Sequence, residues 1–320
     1  MSGLLVIGYR TEGTLAHVLD AARAAGTRYA LLDLATLRDA TDLVVTESAG
    51  ELVISIDDDV IRLSEFDAVY ARIYWFDLGS PARNRALQML IAALMGYLEH
   101  APARVVNRPS AGASNMNKLA HLAELVTAGL VVPEAHVIGD AAFARTLVTA
   151  DGEWISKSVS SAKTRAVAVD ERLVARLDRL AACPSLFQRR IRGADVRVHV
   201  VGTECIAERI VAQQVDYRYR DPGVPRAEFS PCEVPAAIAA ACVKYCETTG
   251  LLFAGIDFKI SDADGEWYAL EANPMPGFEP YDRRLGGRIS RALLALLAPA
   301  VTHDTEPFVT ADRRPAASPF

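Results

Sequence analysis

Two short segments near the carboxyl end of the chain carry acidic and amide side chains on strand-like patterns. Residues 253–260 and 266–273 are separated by Ser-Asp-Ala-Asp-Gly, a composition typical of a hairpin loop. A three-residue loop at 263–265, with Gly265 in the left-handed conformation, predicts cross-strand pairs of Ile260 with Tyr268, Phe258 with Leu270, and Asp257 with Glu271. This register keeps the apolar residues of both strands on one face, and Asn273 shares the other face with Glu271.

These oxygen donors predict a site for a divalent cation. Two facing carboxylates repel each other unless a cation or a proton lies between them. Carboxylate and amide oxygens are ligands that magnesium accepts, especially where nucleotide phosphates complete the coordination. The sequence therefore predicts a magnesium site at Asp257, Glu271 and Asn273. The alternative is an ordinary solvent-facing hairpin with a Glu–Lys pair through Lys259.

The elements that must position this hairpin follow from apolar periodicity. The first part of the chain predicts a small α/β lobe, with strands at 4–8, 29–34, 43–46, 51–56, 60–63 and 68–75 and helices at 15–25 and 83–99. Helices are predicted at 117–129 and 236–249, each ended by a glycine, and strands at 154–159 and 186–191. Residues 195–201 alternate, with valines on one face and Asp195, Arg197 and His199 on the other.

Composition bounds the class of protein. With 320 residues and 51% hydrophobic content, the chain can bury one or two cores without disulfides. A net charge of −6 argues against a general nucleic-acid or anionic-membrane binder, and no export or membrane-spanning segment is recognised, so a cytoplasmic protein is expected. The five cysteines lack CxxC spacing, which favours reduced thiols over a metal or redox motif.

Five runs, in order, resemble the ATP-grasp carboxylate ligases. They are Asn107-Arg-Pro with Asn117-Lys118-Leu119, Trp154-Ile-Ser-Lys157, the segment 187–202, Gly255-Ile-Asp257, and Leu270-Glu271-Ala-Asn273-Pro274. The resemblance covers about residues 105–300 and implies a mixed α/β (α+β) ATP-grasp fold, in which a central lobe and a carboxyl-terminal antiparallel-sheet lobe clasp a nucleotide. The expected divisions are an amino-terminal α/β domain at 1–105, subdomains at 106–185 and 186–302, and a flexible tail at 303–320.

The resemblance also implies residue roles. Lys118 and Lys157 would contact the nucleotide phosphates, with Lys157 and Arg197 acting in catalysis at the transferred phosphoryl group. The hinge residues Gln188, Arg189, Arg190 and Ile191 would line the adenine, Asp195 would belong to the same cofactor site, and Asp257, Glu271 and Asn273 would hold magnesium. The segment 158–165 lies where the family has a flexible phosphate-covering loop, but it carries serine, lysine and arginine in place of glycines.

Within the family, the segment Val215-Asp216-Tyr217-Arg218 resembles the microviridin-type (graspetide) ligases that crosslink ribosomal peptides. This implies a ligase that activates a carboxylate with ATP, releases ADP and phosphate, and joins the carboxylate to an amine or hydroxyl of an acidic peptide. Substrate contacts would come from Arg72, Arg209, Arg218 and Arg220, and a homodimer is a further expectation.

Other functions are compatible with the same sequence features. The run from Asn273 to Phe278 also occurs in ligases of the ribosomal-protein glutamate ligase type, which act on free amino acids or protein tails. An ATP-grasp kinase or a nonenzymatic nucleotide-binding protein would share the nucleotide site. The P-loop, protein-kinase and dinucleotide-binding motifs of other ATP-using or nucleotide-binding folds do not occur.

Overall fold

The structure is a computed structural model that describes residues 3–150, 152–159, 166–213 and 223–297. The described residues form two compact units, one containing those of 3–111 together with 277–297, and the other those of 112–276. Residues 277–297 thus group with the first unit in space, although the sequence assigns them to the carboxyl-terminal subdomain. The finer division at residues 105, 185 and 302 stays a prediction.

Strands and helices are numbered in chain order. The strands of the described residues are β1 (Leu4–Gly8), β2 (Tyr29–Asp33), β3 (Leu43–Ser48), β4 (Glu51–Ile56), β5 (Asp59–Arg62), β6 (Ala68–Ala71), β7 (Arg104–Val106), β8 (Ala135–Ile138), β9 (Trp154–Ser158), β10 (Val167–Ala168), β11 (Ser185–Arg189), β12 (Gly193–Val201), β13 (Glu204–Val211), β14 (Glu228–Cys232), β15 (Phe253–Ser261) and β16 (Trp267–Asn273). The helices are α1 (Gly13–Ala24), α2 (Pro81–His100), α3 (Lys118–Ala128), α4 (Ala141–Thr149), α5 (Glu171–Val174), α6 (Ala236–Thr249), α7 (Glu279–Arg284) and α8 (Arg288–Leu297). None of the helices in the described ranges is long and apolar enough to cross a bilayer.

The first unit is built on a parallel sheet with strand order β2-β1-β6-β7. Its core contains apolar side chains of β1, β6 and α2, among them Leu5, Ile7, Val69, Leu90 and Leu94. A separate antiparallel sheet joins β3, β4 and β5. The strand predicted at 68–75 ends at Ala71, because its neighbour β1 ends at Gly8 and offers no further pairing partner.

The second unit contains two antiparallel sheets, with strand orders β10-β9-β11-β8 and β14-β13-β12-β15-β16. Helix α4 packs on the first sheet over the buried Trp154 and Phe187. Helices α3 and α6 pack against the second sheet and against each other. The predicted ends of α3 are confirmed, since the Asn117 side chain caps its start and Gly129, with φ of 100°, follows its last residue.

The hairpin of β15 and β16 contains the predicted pair of Asp257 with Glu271, but the rest of the predicted register is wrong. The loop has four residues, not three, and is closed by the Ser261 N–H donating to the Glu266 carbonyl at 2.9 Å. Phe258 therefore lies opposite Ala269, and Ile260 lies opposite Trp267. A bulge at Leu270 then shifts the register by one residue, which restores the pairing of Asp257 with Glu271.

The cause of this shift is the burial of Trp267 and Ala269. Both side chains face the core, whereas Tyr268 and Leu270, predicted to be core residues, are half-buried on the other side. The bulge lets Ala272 return to the core face, so Glu271 and Asn273 still share the polar face. Gly265 has a φ of 73°, as predicted for the end of the loop.

Candidate active site

A row of charged residues crosses four neighbouring strands of the second unit. The strand registers place Glu208 opposite Arg197, Arg197 opposite Asp257, and Asp257 opposite Glu271. The Arg197 guanidinium lies 2.8 Å from the Asp257 carboxylate, with Nη1 donating to Oδ1. Because cross-strand partners lie on the same face of a sheet, the row presents one guanidinium among three carboxylates.

The Arg197 side chain lies across β15 at Gly255. A Cβ at residue 255 would lie 2.1 Å from Arg197 Nη2 and 2.5 Å from its Cζ. No side chain larger than hydrogen is compatible with that approach, so the Gly-Ile-Asp run allows the guanidinium to reach the Asp257 carboxylate. Arg197 is 6% exposed, which holds its charge in a desolvated position where electrostatic interactions are strong.

Two lysines lie on the same pocket as Glu271. Lys118 begins α3, and its Nζ lies 3.9 Å from Glu271 Oε2. Lys157 is on β9, in the other sheet of the unit, and lines the pocket together with Lys118 and Glu271. Two ammonium groups and a carboxylate on one pocket favour a ligand that combines negative charge with a bound cation.

Gln188 supplies an uncharged polar group to this pocket. Its side chain is 1% exposed, and neither the amide nitrogen nor the amide oxygen has a hydrogen-bond partner among the described residues. The register of β11 with β9 places Gln188 and Leu186 on the face of the sheet that carries Lys157. A buried amide without partners costs free energy. This side chain is therefore placed to donate to, or accept from, a bound ligand.

The three predicted metal ligands share one face of the hairpin. Asn273 lies opposite Gly255, two residues from the pair of Asp257 and Glu271. Its Oδ1 accepts a hydrogen bond from the Met275 N–H at 2.9 Å, which fixes the orientation of the amide. Two carboxylates and an amide oxygen are hard donors that fit magnesium.

The likeness to solved structures covers almost the whole chain. The ATP-grasp ligase PsnB, complexed with minimal precursor, is 26% identical over 92% of this chain and 99% of that chain, with a TM-score of 0.75. The macrocyclase MdnC from Microcystis aeruginosa MRC, bound with precursor peptide MdnA, is 21% identical over 94% of this chain and 100% of that chain, with a TM-score of 0.77. This chain has the ATP-grasp fold. The predicted fold class is thereby confirmed.

A third ATP-grasp structure agrees. The RiPP-associated ATP-grasp ligase from Chryseobacterium gregarium, in complex with ADP and a leader and core peptide, is 20% identical over 93% of this chain and 96% of that chain, with a TM-score of 0.78. No protein-family model and no curated protein matches the chain.

The four residues predicted to line the adenine, Gln188 to Ile191, are placed differently from one another. Arg189 lies opposite Trp154, on the other face of the sheet from Gln188, and its guanidinium is 5.6 Å from the centre of the Trp154 ring. Arg190 donates to the exposed Glu153 carboxylate, and Ile191 is half-buried in the link to β12. Of these four residues, Gln188 lines the pocket in the part of the chain that the structure describes, and the roles of the other three stay predictions.

The buried Asp195 and the half-buried Lys259 form a pair beside the charged row. Lys259 Nζ donates to Asp195 Oδ2 at 2.9 Å and to the Gly193 carbonyl at 3.1 Å. Lys259 thus pairs with an aspartate of β12, and within the described ranges no Glu–Lys pair through Lys259 is found. This contact links β15 to β12 two residues along each strand from the pair of Arg197 with Asp257.

The predicted substrate arginines are placed differently from one another. Arg72, in the first unit, is 6% exposed and bound by the Glu12 carboxylate, with distances of 3.1 Å from Nε and 3.0 Å from Nη2. Arg209 is exposed and lies on the sheet face opposite that of Arg197, because it follows Glu208 on β13. Arg218, Arg220 and residues 160–165 lie outside the described residues, so their roles stay predictions.

The sequence did not single out two buried residues of this region, Glu208 and His121. Glu208 is 1% exposed and is the cross-strand neighbour of Arg197 on β13. His121 is 3% exposed and lines the pocket. Its Nε2 accepts the Ala272 N–H at 2.7 Å, between Glu271 and Asn273. The available signal for His121 is its position three residues after Lys118, which places both on one face of α3.

Proposed function

We propose that this protein is an ATP-dependent ligase that activates a carboxylate of a ribosomal precursor peptide and joins it to an amine or hydroxyl of that peptide. The observation that carries the proposal is the convergence of Lys118, Lys157 and Glu271 on one pocket, with Asp257 and Arg197 on the adjoining strands. The likeness to PsnB, complexed with minimal precursor, Mg and ADP at 26% identity, supports the same ligands here.

The chain's residues divide the work of binding the nucleotide. Lys118 and Lys157 contact phosphate oxygens, and the apolar Leu186 and Leu270 with the Gln188 amide accommodate the base. Asp257, Glu271 and Asn273 would hold magnesium, which supplies charge neutralisation at the phosphates when it is bound. Arg197 is positioned to donate hydrogen bonds where the transferred phosphoryl oxygens gain charge.

The proposed reaction has two balanced steps. An oxygen of the substrate carboxylate attacks the γ-phosphorus of ATP, and ADP leaves to give an acyl phosphate. An amine or hydroxyl then attacks the carbonyl carbon, phosphate leaves, and the attacking group loses a proton. The first step replaces a poor leaving group with a good one, and the cationic groups of the pocket stabilise the charge that builds up during phosphoryl transfer. The peptide loses one water for each bond formed.

The acidic character of the peptide is part of the proposal. The arginine-rich segments of the sequence, at 189–197 and 218–226, offer several guanidinium groups to several carboxylates. A free amino acid offers only one or two such charges. Charge reversal at Arg218 and Arg220 should therefore weaken an acidic peptide substrate far more than a small one. Assembly as a homodimer is a further part of the proposal.

Mass spectrometry of a candidate peptide tests this function. The candidates are short peptides rich in Asp, Glu, Ser, Thr or Lys encoded beside the gene, incubated with the protein, ATP and magnesium. Loss of one water mass per bond is expected, and it should disappear in Glu271→Gln but persist in Glu266→Gln, whose residue lies at the hairpin loop. An added phosphate mass would indicate a kinase, and condensation of free amino acids with the peptides unmodified would overturn the peptide assignment.

A further inference from the structure

The strand that carries Glu271 and Asn273 lies at the edge of its sheet. In the described residues, β16 pairs on one side with β15, and two contacts cover its other edge. The Ala269 N–H donates to the Val131 carbonyl at 2.8 Å, and the Ala272 N–H donates to His121 Nε2 at 2.7 Å. These two bonds lie on either side of the bulge at Leu270. They are therefore placed to hold the bulged segment in one conformation.

Hydrogen bonding specifies the tautomer of His121. Because Nε2 accepts from a backbone N–H, the ring proton lies on Nδ1, which is 3.1 Å from Ser114 Oγ. The Ser114 hydroxyl in turn donates to the Glu124 carboxylate at 2.5 Å. Burial lowers the pKa of His121, which favours the neutral ring that this chain of bonds requires.

We propose that His121 is a positioning residue, whose acceptance of the Ala272 N–H holds Glu271 and Asn273 in the geometry that binds magnesium. This inference rests on the proposed function, because it takes these two residues as metal ligands. The Ala272 amide belongs to the residue between them, so a displacement of this amide moves both side chains. Outer partners of metal ligands act in this way in other metal sites.

His121 also links the metal ligands to the phosphate-binding helix. Lys118 and His121 are on the first turn of α3, and Lys118 Nζ lies 3.9 Å from Glu271 Oε2. The bond to Ala272 thus fixes the distance between a lysine that binds phosphate and the carboxylate that binds the metal. Tyr245 OH lies 3.4 Å from Nδ1, the ring nitrogen that does not accept the Ala272 N–H.

Three variants separate this role from general packing. His121→Ala removes the acceptor, whereas His121→Gln keeps an acceptor oxygen on a side chain of similar length. Tyr245→Phe is the matched control, because it removes a polar contact of the imidazole and leaves the bond to Ala272 in place. If His121→Ala fails to fold, His121→Asn takes its place. The asparagine side chain is too short for its amide oxygen to reach the Ala272 N–H, so the expected result is the same.

The measurements are hydrogen exchange of residues 267–273, followed by mass spectrometry, and calorimetric binding of ADP across a magnesium titration. His121→Ala should speed exchange in this segment and raise the magnesium concentration for half-maximal ADP binding by roughly 10- to 100-fold. His121→Gln and Tyr245→Phe should stay within about threefold of the wild type, which is below the 10- to 100-fold range.

Two results would overturn the inference. If the wild type binds ADP with magnesium and His121→Ala does so at the same magnesium concentration, or if exchange in 267–273 is unchanged, His121 does not position the ligands. If the wild type shows no magnesium-dependent binding of ADP, the proposed function fails, and the inference fails with it.

Discussion

The position of the Arg197 guanidinium depends on residue 255 being a glycine. Arg197 extends across β15 to the Asp257 carboxylate, and a methyl group at Gly255 would overlap with Nη2 and Cζ. The guanidinium is itself buried and is paired with the half-buried Asp257, so it has little freedom to move aside without losing a partner. The glycine of the Gly-Ile-Asp run therefore has a steric role in the site.

Gly255→Ala should displace Arg197 and lower kcat by about 10² to 10³, the cost of removing one electrostatic donor from an active site. The KM for ATP should change little, because Lys118 and Lys157 are untouched. Steady-state kinetics with the peptide substrate measure both values. Gly96→Ala is the control, since Gly96 is exposed on α2 with no atom of the described residues within 4 Å of its Cβ position, and it should keep full activity. Full activity in Gly255→Ala would contradict the steric role.

The motifs that resemble ATP-grasp ligases grouped part of the pocket in advance. The sequence motifs predicted a pocket with Lys118, Lys157, Gln188 and Glu271, and all four residues line the same pocket. His121 and Glu208 could not be found in this way, because their significance comes from a backbone amide and a cross-strand neighbour that only tertiary structure brings near. Alternation along β11 turns the Arg189 side chain to the Trp154 face, so its predicted role at the adenine stays a prediction.

The β15–β16 hairpin has two irregularities that compensate for each other. The loop is one residue longer than the sequence predicted, and the bulge at Leu270 takes up the additional residue before Asp257. The predicted pair of Asp257 with Glu271 is confirmed, although the predicted loop length and the other predicted pairs are wrong. Apolar alternation alone could not reveal this, because Trp267 and Tyr268 are both suited to a core position and only packing decides between them.

The bulge also directs Leu270 toward the pocket, beside Glu271. Leu270→Ala should raise the KM for ATP by about tenfold, because an apolar contact of this size contributes about 1.4 kcal/mol to binding. The melting temperature should change little, since the side chain is only half-buried. Leu119→Ala on α3, 40% exposed and outside the pocket lining, is the matched control and should bind ATP normally. An unchanged KM in Leu270→Ala would exclude this contact.

At the scale of the whole molecule, residues 277–297, which follow the candidate active site in sequence, belong to the first unit. Asp282 is fully buried, and its Oδ1 accepts the N–H groups of Ile289 and Ser290 at the start of α8. Its Oδ2 lies 2.7 Å from Nε2 of His17 on α1. The sequence predicted no such link, because an aspartate in a short polar helix gives no indication of a partner 265 positions away in the chain.

Asp282→Ala should destabilise the protein by about 3 kcal/mol, since it leaves two buried N–H groups and His17 without their acceptor. Magnesium-dependent ADP binding should persist at temperatures below the transition, because Asp282 belongs to the first unit and the pocket to the second. Thermal unfolding followed by calorimetry measures the loss. Asp20→Ala, which breaks an exposed pair with Arg23, should change stability by no more than about 0.5 kcal/mol. A similar small effect for Asp282→Ala would refute the structural role.

The central claim is that the β15–β16 hairpin, with Asp257 and Glu271, is part of the active site of an ATP-dependent ligase. The products made from ATP test this claim most directly. Nucleotide, phosphate and peptide products are quantified together in one reaction with wild type, Asp257→Asn and Glu271→Gln. The wild type should form one ADP and one phosphate for each water lost from the peptide, and both variants should stay folded and inactive. AMP with pyrophosphate, ADP without bond formation, or unimpaired turnover in either variant would contradict the claim.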